Sequence, residues 1–401
     1  MRPAQVLMGL LGWILLVGSA GWASQLPAES PDLVGMSSSR LQLIDGLVEE
    51  AIRHQEVPGA VVMVARRGRL VYSRAFGLRA LEPSPAPLRQ DDIFDVASLT
   101  KIMATATSVM ILVENGKLIL SDPVAKYIPE FARRGKDGVL VHHLLTHFSG
   151  LRPDLDLDDP WQGYDRAVEL ACRERLLQEP GQKFVYSDIN YLLLGEIVRR
   201  VSGQPLDVFA AERIFRPLGM LDTGFNPHGE KLDRVVPTER RDGQMLQGQV
   251  HDPTAFRMGG VAGHAGLFST APDALVWAQM ILGGGEYQGV RILSPLAVRK
   301  MTASQSPAGS PDRRGFGFDI DTRLSRTRGD LFPVGSFGHT GFTGTSIWID
   351  AESETVVILF SSRLYPDGKG DAVPLRSKVA SVVAASILDV PAAGVNAGSV
   401  R

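Results

Sequence analysis

Stretches rich in β-branched and aromatic residues stand only towards the two ends of this chain. Residues 59–65 and 70–73 flank Arg66-Arg67-Gly68-Arg69 and read as a hairpin. The pattern returns at 315–320, 336–338, 345–350 and 355–361, the last two flanking an Ala351-Glu352-Ser353-Glu354 turn. Between them, residues 118–301 read as helices and long loops, with helical periodicity at 165–177 and 189–201. Strands and helices do not alternate, which excludes a doubly wound parallel sheet. The expected fold is α+β, with the terminal segments paired in one antiparallel sheet. Helices at 37–52 and 379–388 would cover one face, and a helix after Ser98 with a mostly helical lobe the other.

Composition narrows the class. The chain has 401 residues, a formal charge of −2 and 44% hydrophobic residues, which suits a globular protein. Neither sign of charge dominates, so nothing points to nucleic acid as a partner. Cys172 is the only cysteine, so no intramolecular disulfide can form, and its setting predicts a small buried apolar residue. Arg2, an apolar run over 6–17 and small residues over 19–24 predict a signal peptide over 1–23, cleaved after Ala23. The run is short for a membrane span, and no cysteine follows it for lipid attachment. The expectation is a secreted or periplasmic protein with no stable span after cleavage. A linker over 24–36, one domain over 37–390 with its helical lobe near 118–301, and a tail over 391–401 complete the division.

Ser98-Leu99-Thr100-Lys101 carries the first chemical signal. No Gly or Pro interrupts the chain from Ser98 to Gly116, so a helix is expected, and residues three apart on a helix share a face. A serine hydroxyl needs a neighbouring base to become a nucleophile. Lysine serves when its pKa is lowered, and the apolar surroundings of Lys101 favour that. Tyr186-Ser187-Asp188 lies just before a helix, where a phenol could relay a proton. His339-Thr340-Gly341 ends a strand and runs into Phe342-Thr343-Gly344, a Gly-rich edge whose free amide could join that of Ser98 around an oxyanion.

S-x-x-K, Y-S-[ND] and [KH]-T-G in this order resemble the serine β-lactamase and penicillin-binding-protein superfamily. Within it the chain looks like the class C β-lactamase-like branch, with D-alanyl-D-alanine peptidases and family VIII carboxylesterases. Residues 143–151, 216–220, 263–270 and 339–345 are similar to that branch as well, and the likeness runs from about residue 41 to 388. The resemblance implies the β-lactamase/transpeptidase-like fold. It implies Ser98 as nucleophile, Lys101 as base or hydrogen-bond partner, and Tyr186 as proton shuttle to the leaving group. It implies the Ser98 and Phe342 amides as the oxyanion hole, and Asp188, His339, Thr340 and Gly341 as substrate-binding residues, His339 towards a substrate carboxylate or Tyr186.

Two departures matter. Asp188 stands where β-lactamases usually have Asn, and could hold Lys101 charged or be protonated itself. His339 replaces the Lys of K-T-G, and a neutral His binds a carboxylate less well. Both point away from a dedicated antibiotic-resistance enzyme.

Other constellations are weaker. His143 and His147 stand four apart, but Leu144 occupies the place of the Glu that zincin chemistry needs. Asp154, Asp156, Asp158 and Asp159 lack the Gly and distal Glu of an EF-hand loop. There is no G-x-S-x-G elbow and no dinucleotide or phosphate loop. No metal and no cofactor are expected. The sequence therefore predicts an exported serine hydrolase acting on a small-molecule or peptidoglycan-peptide substrate, foremost a D-Ala-D-Ala-type peptide. The alternatives are a carboxylesterase or β-lactamase and, from another class, a non-catalytic peptidoglycan-binding protein.

Overall fold

The computed structural model describes residues 26–389. The expected signal peptide and C-terminal tail lie outside them.

Eight strands form one sheet: β1 (Gly59–Arg66), β2 (Arg69–Ala80), β3 (Ala86–Pro87), β4 (Arg313–Arg314), β5 (Asp319–Asp321), β6 (Phe337–Thr340), β7 (Ser346–Asp350) and β8 (Thr355–Ser361). Their order is β4-β5-β6-β7-β8-β1-β2-β3, and every pairing is antiparallel. The join between the chain's two ends is β1 against β8, with Ala60 opposite Ser361 and Arg66 opposite Thr355. The expected union of the terminal pieces is therefore the observed one. The short strand β3 lies at the sheet edge, where its Ala86 and Pro87 pair with β2 and a proline's missing N–H is tolerated.

Every residue of β1 is buried, because helices cover both faces of the sheet. Side chains alternate between faces along a strand. Ala60, Val62 and Val64 pack against Ile44 and Val48 of α1 (Leu43–Arg53) and against Val379 and Val383 of the C-terminal helix Val373–Ser386. Val61, Met63 and Ala65 face the larger core, which runs through the helical lobe. Each such valine, isoleucine or methionine side chain, fully buried, contributes about 1.5–3 kcal/mol.

The helix expected after Ser98 is there, but in three registers. Ala97–Leu99 is a 3₁₀ turn, Lys101–Ala106 is π-helical, and α2 (Thr107–Glu114) is regular. Thr107 Oγ1 donates to the Ile102 carbonyl (2.8 Å), five residues back, and Thr105 Oγ1 leaves the helix to donate to the Gly263 carbonyl (2.6 Å). Side-chain bonds of this kind widen a helix locally, and π-turns concentrate at functional sites. The whole segment Ala97–Glu114 is apolar enough to cross a membrane, yet it is 83% buried within the protein as a core helix.

Candidate active site

Three chain segments meet at Ser98. The first is the turn before α2, where Ala97 takes a left-handed conformation (φ 45°) that turns the chain into the 3₁₀ segment. The second is the entry to α3 (Asp188–Ser202), with Ser187 at the position just before it. The third is the end of β6 with the turn that follows it. Ser98 is half-buried, while Lys101 is fully buried.

Lys101 Nζ lies 2.8 Å from Ser98 Oγ, 2.9 Å from the His264 carbonyl and 2.6 Å from Asp188 Oδ1. It also sits 5.0 Å from the centre of the Tyr186 ring. Burial pulls the ammonium down, but the Asp188 charge and the Tyr186 oxygen outweigh it and hold Lys101 above its ordinary value. The sequence expectation of a lowered lysine pKa is thus corrected. The apolar stretch around Lys101 was visible, but the carboxylate that overrides it comes from another segment.

Burial raises the Tyr186 phenol, and Asp188 adds to that, while Lys101 and hydrogen bonds from Lys101 and Ser98 pull it back only in part. Tyr186 is therefore protonated at rest, in hydrogen-bonding reach of both Ser98 and Lys101. Two histidines flank it. The His147 ring stacks on Tyr186 at 4.4 Å and 27°, and the His339 ring lies at 6.0 Å. Both are pushed well below the usual imidazole range, by burial first and then by Arg314 and Lys101.

His339 Nδ1 donates to the Thr340 carbonyl (2.8 Å), since a carbonyl can only accept, and the neutral ring carries no charge for a carboxylate. His147 Nδ1 accepts from the Ser187 amide (3.1 Å), so its proton sits on Nε2. The helix Val141–Thr146 ends before His147, which has a left-handed backbone (φ 61°). His143 and His147 do not share a helical face. Among the described residues no cluster of three or more His, Cys, Asp or Glu is arranged to hold a metal ion.

Behind Lys101 lies a second charged group. His264, fully buried, sets Nε2 3.0 Å from Asp252 Oδ1. Burial lowers this imidazole, but Asp252 more than compensates and holds it above the ordinary value. Asp252 is raised by burial and lowered further by His264 and the Ala255 amide, ending at about 2. Asp154, hydrogen-bonded by Thr254 Oγ1 (3.1 Å), is pushed up to about 6 by burial.

The structure thus brings together Ser98, Lys101, Tyr186, Asp188 and His339. Thr340 and Gly341 lead from β6 into the turn bearing Phe342, whose side chain is 61% exposed. His147 and the Asp252–His264 pair were not singled out as functional from the sequence. The signal for His147 and His264 was that they fall in stretches 143–151 and 263–270, which are similar to the class C β-lactamase-like branch; Asp252 lies in neither.

The Beta-lactamase family model matches residues 44–380. This chain is a member of that family. A protein of Escherichia coli K12 named "Putative D-alanyl-D-alanine carboxypeptidase" is 32% identical over 398 residues, covering 90% of this chain and 91% of its own. A penicillin-binding-protein homologue from Caulobacter crescentus superposes with a TM-score of 0.72 at 22% identity, covering 88% of this chain and 99% of that one. EstCE1, a hydrolase with promiscuous acyltransferase activity, superposes with a TM-score of 0.70 at 22% identity, covering 86% and 99%. The chain has the β-lactamase/transpeptidase-like fold and is a hydrolase of the serine β-lactamase and penicillin-binding-protein superfamily.

Proposed function

We propose that this chain is an exported serine hydrolase that forms an acyl-enzyme on Ser98 and acts on D-Ala-D-Ala-type cell-wall peptides or related amides. The observation that carries the reading is the line Ser98 Oγ–Lys101 Nζ–Asp188 Oδ1, with steps of 2.8 and 2.6 Å. As Ser98 attacks the carbonyl carbon, its proton passes to Lys101 while Lys101 gives one to Asp188. The ammonium is charged before and after, and the carboxylate is the net acceptor. The Ser98 and Phe342 amides receive the developing oxyanion. The Tyr186 phenol protonates the leaving amine as the carbon–nitrogen bond breaks, and Asp188 returns its proton through Lys101 to Tyr186. Water then attacks the ester by the same route in reverse: its proton passes to Tyr186 as the phenol's own proton passes through Lys101 to Asp188, and Asp188 returns that proton through Lys101 to Ser98 Oγ as the ester bond breaks.

The peptide substrate is supported by the name of the Escherichia coli relative and its coverage of nearly the whole chain. A second reading, carboxylesterase, is favoured by the neutral His339, which offers no cation to a peptide's terminal carboxylate.

The test is intact-mass spectrometry of the protein with benzylpenicillin, beside release of D-alanine from a D-Ala-D-Ala peptide and turnover of p-nitrophenyl acetate. The expected result is a penicillin adduct on wild type and none on Ser98→Ala, with D-alanine release. Ester turnover without D-alanine release would favour the esterase. Neither turnover nor adduct would leave a binding protein.

A further inference from the structure

The two amides assigned to the oxyanion hole come from distant parts of the chain, and a closed circuit of contacts joins those parts. Asp95 is its centre. This buried carboxylate accepts from the Ala97 amide at Oδ1 (2.9 Å) and from the His251 amide at Oδ2 (2.7 Å). The first bond holds the left-handed residue directly before Ser98, and such a backbone persists only when its surroundings fix it. The second anchors His251, whose ring stacks on Phe342 at 5.7 Å and 26°.

The Phe342 turn then returns to the Ser98 turn through two hydroxyls. Thr343 Oγ1 donates to the Asp95 carbonyl (2.7 Å), and Thr345 Oγ1 donates to the Val96 carbonyl (3.1 Å). Both threonines are buried. On its other side the same turn is held by the buried Arg376, whose Nη2 donates to the Gly341 and Thr345 carbonyls (2.9 Å each).

We propose that Thr343 and Thr345 are positioning residues that set the separation between the Ser98 and Phe342 amides, with Asp95 fixing the Ser98 turn against which they pull. Neither hydroxyl needs to touch substrate. Each joins the loop on one side of the oxyanion to the carbonyl two or three residues before the nucleophile on the other. The inference rests on the assignment of those two amides as the oxyanion hole. Losing one such donor outright costs about 10²–10³ in kcat, so letting the pair drift costs less than that.

The test compares Thr343→Val and Thr343→Ser, and likewise Thr345→Val and Thr345→Ser, with wild type and Ser98→Ala. The readouts are p-nitrophenyl acetate hydrolysis and inhibition by phenylboronic acid, which bonds to the serine and places an oxygen in the hole. Thermal unfolding establishes that each variant is folded. The valine variants are expected to lose about 10- to 100-fold in kcat with KM little changed. Boronate affinity should fall in parallel, and the serine variants should restore both.

An unchanged kcat in both folded valine variants would overturn the proposal. So would a kcat loss without loss of boronate affinity, or a loss that serine fails to rescue. Should Thr343→Val not fold, Thr345→Val probes the same spacing through the Val96 carbonyl. Ester turnover surviving in Ser98→Ala would overturn the Ser98 reading itself. Turnover abolished there but intact in the valine variants would overturn the positioning role alone.

Discussion

The buried Lys101 pairs with the partly exposed Asp188, Nζ to Oδ1 at 2.6 Å, and the same nitrogen reaches Ser98 Oγ at 2.8 Å. A lysine held charged in this way cannot by itself take the serine proton. Asp188→Asn removes both the counter-charge and the final proton acceptor while keeping the shape. Burial then dominates and lowers the Lys101 pKa. We expect acylation at neutral pH to fall at least tenfold, then to climb with pH as Lys101 becomes neutral and serves as the base directly. Stopped-flow acylation by p-nitrophenyl acetate from pH 6 to 10 reads this out. An Asp188→Asn profile parallel to that of wild type would rule out the relay.

The Asp252–His264 pair makes a stability prediction. His264 is held above its ordinary 6.5, so its contribution is complete below 6.5 and is lost as pH rises through the folded value. Asp252 is held at about 2, below its ordinary 3.8, so its contribution is present above 3.8 and is lost as pH falls towards 2. Asp252→Asn should therefore destabilise most near pH 5 and less at pH 9. Breaking a buried pair costs about 3–5 kcal/mol, and the lower figure suits this partly exposed carboxylate. Urea unfolding at the two pH values checks it, and an equal deficit at both would contradict the assignment.

Gly341 is required by space, not by backbone angle. A Cβ there would overlap Thr345 Oγ1 and come within 2.5 Å of the Val96 carbonyl. Gly341→Ala must push the Phe342 turn away from the Ser98 turn. Overpacking of this kind costs about 1–3 kcal/mol, and we expect kcat to fall about 100-fold with the protein still folded at 25 °C. Ester kinetics beside a thermal melt would test it, and near-wild-type kcat would show that the turn can yield.

Cys172 is expected to be inert. It is buried, and burial raises its thiol to about 11. Since the thiolate is the reactive form, labelling by a thiol-specific disulfide reagent at pH 8 should be about 100-fold slower in native protein than in denaturant. Rapid labelling of the native protein would mean that the helix Tyr164–Arg173 opens readily.

The architecture was legible because the two periodicities are segregated along the chain, and a sheet shared between its ends follows from that. Ser98, Lys101 and Tyr186 were legible because their spacing is local or motif-bound. The charge state of Lys101 was legible only as two opposed readings, a neutral amine from the apolar stretch beside it and a charged one held by Asp188, and the 2.6 Å contact that α3 provides decides for the second. Asp95, Thr343 and Thr345 were invisible for a related reason. Apart from the local Asp95–Ala97 bond, their bonds join segments that no local pattern relates, and two of them end on backbone carbonyls, which leave no mark in the sequence.

The pairing of β1 with β8 also fixes when this protein can become active. On the β8 side Val61 finds its partner only at Phe360, so the central seam of the sheet has no template until the ribosome has made nearly the whole chain. The nucleophile's turn and the turn bearing Phe342 are brought into register by that same seam. A chain interrupted before Thr355 lacks β8, and with it the pairing that joins β1 to the strands carrying the Phe342 turn. Contacts this distant in sequence also form slowly, leaving the newly made chain open for a time before it commits to its fold.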